Sequence, residues 1–401
     1  MSHTLSPLRL SAVVGCLLAG LLGGCNSAPP DTPLKLEDVA ENVPIVKPTT
    51  TADAPFTRIT AGDPSEAKAL AGVGATFPQP LYDRWFALYG SHIGVRVNYN
   101  RTEEGKPLDD KAKGSLAGIQ SISNRAADFG ASDAPMTDEQ LQAAKGGRIL
   151  HIPTAFGAIA IAYNVPGLNG RLRFTPTTLA GIFLGNITRW DDARLVRDNP
   201  QLAQLNQELI TVHRADGSGT TYGLSDYLTS VSSDWHERVG QGTSIPWPVG
   251  IGARGNAGVV AELKQNPYSL GYVELGYAIA NQLPYGLVQN RAGNFIDPTP
   301  DTIAAAAASK NAPGDLRFSV VNASGANAYP ICTGTWLLVY QNMSDASKAQ
   351  ALTRLLWWAI HDGQAVNPSL SYAPVPANIT ARSEEFIRQI RVAGQPAFTE
   401  H

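Results

Sequence analysis

Short apolar runs rich in β-branched residues alternate along this chain with segments of helical period, and that alternation most limits the folds open to it. Val95-Arg96-Val97-Asn98-Tyr99 precedes a helical pattern over 116–123, and Ala127-Asp128-Phe129-Gly130-Ala131 precedes another over 138–144. Ile159-Ala160-Ile161-Ala162-Tyr163 leads to a helical 176–184, and Leu209-Ile210-Thr211-Val212 to a helix beyond Thr221. Alternating strand and helix periods specify α/β sheets, whose ligand sites lie at strand ends. The alanine run 304–308 reads as helix. Some 330 residues (roughly) carry this pattern, more than one core usually serves, so two domains are expected.

The junctions are more telling than the elements. His213-Arg214-Ala215-Asp216-Gly217-Ser218-Gly219-Thr220-Thr221 follows a strand-like run and opens a helix. Such a junction aims unpaired backbone N–H groups and the positive end of a helix dipole at one point, which suits an anion. Arg214 adds a planar fork matched to two oxygens of a phosphate or carboxylate, while Ser218 and Thr220 add hydroxyls. Two other junctions share the chemistry. Gly72-Val73-Gly74-Ala75-Thr76-Phe77-Pro78 puts Thr76 at an N-cap position before an amphipathic helix, and Gly114-Ser115 opens the helix of 116–123. Asp133 sits in the loop between a strand and the next helix. Taken singly, each of these is also an ordinary turn or cap. Three glycine-then-hydroxyl helix starts plus an arginine form a pattern.

Charge sharpens the reading. Lys and Arg number 31 against 34 Asp and Glu, for a net charge of −3. No basic stripe interleaved with aromatics is present, which argues against nucleic acid. An anion here must be drawn by local donors. The histidines show no metal-ligand spacing, and no cofactor or metal is expected.

The N-terminal region carries its own signals. Arg9 followed by the apolar run 10–22, too short to span a membrane, reads as an export signal. It ends in Leu22-Gly23-Gly24-Cys25, which resembles the lipobox of bacterial lipoproteins, with Cys25 as the acylated residue. Residues 26–67, rich in Pro, Thr, Asp and Ala, read as a disordered tether. Cys16 leaves with the signal and Cys25 is acylated, so Cys332 stands alone as a small buried hydrophobe without an intramolecular disulfide.

GVGATFPQPLYDRW (72–85), DFGASDAPMT (128–137), IFLGNITRWDD (182–192), HRADGSGTTY (213–222), GNAGVVAELK (255–264) and GYVELGYA (271–278) together resemble the periplasmic phosphate-binding proteins of the phosphate-specific ABC transporter. The likeness runs in order from about residue 70 to 380. It implies a type II periplasmic binding protein fold, two α/β domains joined by two crossing segments: residues 68–164 with 337–401, and 165–336. It implies a non-enzymatic monomer in the periplasm, lipid-anchored to a membrane, that closes on inorganic phosphate and passes it to inner-membrane ABC permease subunits. The family's ligand positions fall on Thr76, Phe77, Ser115, Asp133, Arg214, Asp216, Ser218, Gly219 and Thr220. The segment 101–113 departs from the family's pattern. It stands before Ser115, which is therefore placed by counting back from the 128–133 motif.

Elementary chemistry agrees with that assignment. Phosphate keeps at least one proton at neutral pH, so a lone acceptor at Asp133 among many donors accepts it, whereas sulfate would set lone pairs against the carboxylate. Each hydrogen bond to a charged group is worth about 1.5–3 kcal/mol, and an unsatisfied one costs at least as much. Asp216 is expected to orient Arg214 and offset its charge. The alternative is a phosphatase of the same fold acting on phosphomonoesters. It wants a metal cluster or an activated nucleophile, which the histidines do not supply. His213, next to Arg214 along a strand, is expected to face the other way. Trp247-Pro248-Val249-Gly250, Gly271-Tyr272-Val273-Glu274 and the Trp357-Trp358 pair read as framework.

Overall fold

The computed structural model describes residues 56–59 and 64–398. The export signal, Cys25 and most of the expected tether lie outside the described residues. Eight strands form a mixed sheet: β1 (Ala69–Gly74), β2 (Arg96–Tyr99), β3 (Phe129–Ser132), β4 (Ile149–Asn164), β5 (Ile210–Arg214), β6 (Ile251–Ala253), β7 (Ser269–Glu274) and β8 (Cys332–Tyr340). Their order across the sheet is β2-β1-β3-β8-β4-β7-β5-β6. The outer trios β2-β1-β3 and β7-β5-β6 are internally parallel. Each has its chain-first strand in the middle, flanked by its second and third. Between them, β8 and β4 run antiparallel to each other and to their outer neighbours.

β4 is the hinge of this arrangement. Residues 149–158 pair with β8, and from Ile159 onward the same strand pairs with β7. All but its last residue are buried, which explains why so long a run carries almost no polar alternation. The sequence marked only its second half as strand.

Five helices matter for the site: α1 (Gln79–Ile93), α2 (Ser115–Ser123), α3 (Gly219–Val231), α4 (Gly255–Gln265) and α5 (Ala346–Ile360). Helix α1 starts with proline in its first turn and ends at Gly94 with φ 80, a left-handed cap suited to glycine. Its apolar residues at helical spacing, Leu81, Tyr82, Trp85, Phe86 and Tyr89, are buried. Trp358 of α5 meets Trp85 edge-on, with centroids 5.9 Å apart. The Trp357-Trp358 pair is thus framework, as expected.

The packed body begins earlier than residue 68. Phe56 stacks on His92 at 4.2 Å and on Trp358 at 5.4 Å. The Thr57 and Arg58 amides donate to the Asp362 carboxylate at 2.8 and 3.0 Å. Glu66 is buried in an ion pair with Arg354 at 2.5 Å. Composition hid this, because one aromatic ring and a few backbone donors suffice to dock the short segment 56–59. Among the described residues no helix is long and apolar enough to cross a membrane.

Candidate functional site

The C-terminal ends of β1, β3, β5 and β7 point into one region, where the N-termini of α1, α2, α3 and α4 also gather. β1 ends in Gly74, whose N–H donates to Asn100 Oδ1 at 2.9 Å. Tyr99 Oη donates to the Ala75 carbonyl at 2.6 Å. These bonds fix the loop that carries Thr76. Its side chain does not cap α1: the N-cap is Pro78, with no side-chain bond. Instead the Thr76 hydroxyl oxygen accepts from Asn256 Nδ2 at 3.2 Å. The Thr76 carbonyl accepts from Tyr277 Oη at 2.8 Å. Phe77 is buried with its ring edge-on to Tyr372, whose hydroxyl donates to the Phe77 carbonyl at 2.7 Å.

The segment 101–113 folds back on itself, with Arg101 bridged antiparallel to Pro107. It returns the chain so that Gly114 N–H donates to the Gly74 carbonyl at 3.0 Å. Gly114 has φ 104, a conformation that excludes most side chains. This delivers Ser115 to Asp133: Ser115 Oγ donates to Asp133 Oδ2 at 3.2 Å, and Asp133 N–H donates to Ser115 Oγ at 3.1 Å. The insertion therefore leaves the hydroxyl where counting from the 128–133 motif placed it.

From the other side, Ser218 caps α3 by accepting from Thr221 N–H at 3.1 Å. Gly219 and Thr220 then occupy the first turn, where backbone N–H groups lack intrahelical acceptors. A Cβ at Gly219 would lie 2.6 Å from Asp133 Oδ2 and on top of Ser115 Oγ. Only glycine permits this approach. Gly219→Ala is expected to hold the two sides apart and lower anion affinity at least tenfold, checked by titration calorimetry with circular dichroism to confirm the fold.

Arg214 and Asp216 are a buried pair, with side chains 1% and 5% exposed. Arg214 Nε donates to Asp216 Oδ1 at 2.7 Å, and Nη2 donates to Oδ2. Arg214 Nη1 donates to Thr220 Oγ1 at 3.3 Å, and Gly255 N–H donates to Asp216 Oδ1 at 3.0 Å. Burial works against the Arg214 cation, yet the charge and bonds of Asp216 outweigh it and hold its pKa above the ordinary value. Burial likewise opposes the Asp216 anion, and Arg214 brings its carboxyl below the usual range. His213 stacks on Trp247 at 4.8 Å. Both line a hollow that reaches Arg214 and Asp216 but not Ser115, Asp133, Gly219 or Thr220.

Asp133 behaves oppositely to Asp216. It is 1% exposed, and its Oδ1 has no hydrogen-bond partner in the protein. Burial pushes it up to about 7, while Thr335, Ser115 and the Arg214 charge pull it back. Glu274, also fully buried, is pushed up to about 8 by burial, countered by the Gly276 amide and Tyr372. Both folded-state values lie above the unfolded ones, so the native chain holds protons that the unfolded chain releases. The stability this contributes is complete below about pH 4 and is lost as pH rises through 7 to 8. Urea unfolding of the ligand-free protein at pH 5 and 8.5 is expected to show that fall. Glu274→Gln should shrink it by one proton's share.

The site therefore gathers Thr76, Ser115, Asp133, Arg214, Asp216, Ser218, Gly219 and Thr220, with Phe77 beside it. Asn256, Glu274, Tyr277 and Tyr372 were not singled out as site residues from sequence. Asn256, Glu274 and Tyr277 lie inside the motifs 255–264 and 271–278, where their placement at or just beyond a strand end was the available signal. Tyr272, read as framework, also reaches the site's edge: its hydroxyl accepts from Arg214 N–H at 3.0 Å. Among the described residues, no group of three or more His, Cys, Asp or Glu is arranged to hold a metal ion.

Two parallel strand trios joined through antiparallel β4 and β8 bring helix N-termini together over strand ends, an arrangement suited to an anion. A family model for the PBP superfamily domain matches residues 60–362. The fold is the type II periplasmic binding protein fold. A solved structure described as a high affinity periplasmic phosphate-binding protein (PfluDING) bound with phosphate aligns with TM-score 0.60 at 18% identity. It covers 79% of this chain and 93% of that one. A human phosphate binding apolipoprotein aligns with TM-score 0.59 at 18% identity, over 79% of this chain and 93% of that one. The phosphate-binding protein PstS of Xylella fastidiosa is 36% identical over 338 residues, 83% of this chain and 89% of the relative. That of Haemophilus influenzae is 36% identical over 320 residues, 79% of this chain and 92% of the relative. The chain belongs to the PBP superfamily and, within it, to the PstS phosphate-binding protein family.

Proposed function

We propose that this protein captures inorganic phosphate between its two halves in the periplasm and delivers it to the permease of an ABC transporter. The observation that carries the reading is Asp133: a buried carboxylate with one oxygen lacking any protein partner, set among donors from three helix starts and next to a buried arginine. Such a site suits an oxyanion that brings its own proton. The named relatives are phosphate-binding proteins, which supports the choice of ligand. Thr76, the Phe77 amide, Arg214, Ser218, Gly219 and Thr220 donate to the phosphate oxygens, and Ser115 turns to them the hydroxyl proton it gives Asp133 here. Asp133 accepts the phosphate proton, and Asp216 holds Arg214 in place.

The halves act as lobes, residues 68–164 with 337–401 and residues 165–336. Their connection through β4 and β8 supports this division, since β4 changes partner at Ile159 and β8 shifts register at Thr335/Trp336. Closure is a hinge motion at these two strands. Acylation at Cys25 then keeps the protein at the membrane, a role the Leu22-Gly23-Gly24-Cys25 motif supports. Titration calorimetry of the purified protein with phosphate and sulfate tests the central claim. Tight phosphate binding with sulfate far weaker is expected; equal affinities or no phosphate binding would overturn it.

A further inference from the structure

We propose that Asn256 is a positioning residue that makes the Thr76 hydroxyl an obligate hydrogen-bond donor to the bound oxyanion. The inference rests on the phosphate role proposed above for Thr76. A threonine hydroxyl has one proton to give and two lone pairs to receive with. Asn256 fills both lone pairs: its Nδ2 donates to Thr76 Oγ1 at 3.2 Å and its backbone N–H at 3.4 Å. With its accepting capacity taken, the oxygen can only direct its proton outward.

The amide cannot turn round to reverse this polarity. Asn256 Oδ1 accepts the Glu274 N–H at 2.9 Å, which fixes oxygen toward β7 and nitrogen toward Thr76. Asn256 is fully buried, so no solvent contact competes. The two residues belong to different halves of the sheet, Thr76 following β1 and Asn256 opening α4. Tyr277, just beyond β7, takes the neighbouring Thr76 carbonyl at 2.8 Å, so the grip is on both side chain and backbone. Held by Asn256, the hydroxyl is a fixed donor. Anions that accept are favoured, and ligands that present a proton at this point are refused.

Phosphate affinity by calorimetry tests the proposal across a set of variants. Asn256→Ala is expected to weaken phosphate binding about 10- to 100-fold when residue 76 is Thr, and equally in Thr76→Ser, which keeps the hydroxyl. On Thr76→Val, which has no hydroxyl to polarise, the same change should cost less than about twofold. Asn256→Asp keeps an oxygen for Glu274 N–H but turns a carboxylate onto Thr76 and captures its proton. It should therefore bind more weakly than Asn256→Ala above pH 7. A loss from Asn256→Ala of the same size in all three backgrounds would show a purely structural role and overturn the proposal, as would no loss at all. Failure of the parent protein to bind phosphate would instead overturn the function it rests on.

Discussion

Asp133→Asn is expected to lower the preference for phosphate over sulfate by about 100-fold or more, with the fold intact. Asp133 Oδ1 is buried without a protein partner, and in the proposed role it accepts the ligand's proton. The amide of the variant offers N–H in place of a lone pair. Phosphate then loses a charge-assisted bond of about 1.5–3 kcal/mol, and sulfate is relieved of a comparable repulsion, so the two effects add in the ratio. The wild-type ratio should also depend on pH. Burial holds the ligand-free carboxyl at about 7, so below that pH it carries a proton and becomes a donor itself. Selectivity should therefore decline from pH 8 to pH 5 in the wild type more steeply than in Asp133→Asn, where no carboxyl titrates at that position. Calorimetry with both anions at the two pH values reads all four numbers. An unchanged ratio in the variant would remove Asp133 from the role of proton acceptor.

Much of this site was legible because its determinants are local. Glycine followed by a hydroxyl residue at the end of an apolar run marks a strand-to-helix junction wherever the chain goes next. That is how the hydroxyls of Ser115, Ser218 and Thr220 stood out, while Gly219 followed from the family resemblance and the place of Ser115 from counting back to the 128–133 motif. The Arg214–Asp216 pair was legible because a buried guanidinium in such a loop needs a nearby carboxylate to orient it and offset its charge. Even the segment 101–113 did not mislead, since it closes on itself and leaves Gly114 bonded to Gly74.

What escaped the sequence depends on which strands become neighbours. Asn256 meets Thr76 across 180 positions of chain, a contact set by the sheet order and by the meeting of the two halves. The same holds for Tyr372, which reaches Phe77 from 295 positions away. No periodicity encodes such partners. Thr76 shows the converse error. Proline just after a threonine is a genuine cap signal, but a tertiary partner took the hydroxyl and left Pro78 at the cap. Phe56 was lost to composition, where one stacked ring outweighs the polar residues around it.

Arg214→Ala should be the most damaging single change, lowering phosphate affinity by about 100- to 10,000-fold and exceeding the loss from Ser115→Ala. Removing one partner of a buried ion pair costs about 3–5 kcal/mol, because the other charge is left uncompensated. Here the orphan would be Asp216, 5% exposed on its side chain and still bonded to Gly255 N–H. An unpaired carboxylate would then stand at the proposed anion site, so the variant loses a donor and gains a repulsion together. Asp216→Asn in the Arg214→Ala background removes the repulsion but restores no donor, and should recover part of the affinity, about tenfold. Arg214→Lys should recover little, since a single ammonium cannot bond both Asp216 oxygens while also reaching Thr220 and the ligand. Calorimetric titration of the wild type and these four variants with phosphate separates these contributions. Should the double variant bind no better than Arg214→Ala, the charge-offsetting role of Asp216 fails, and its function reduces to holding the guanidinium in orientation.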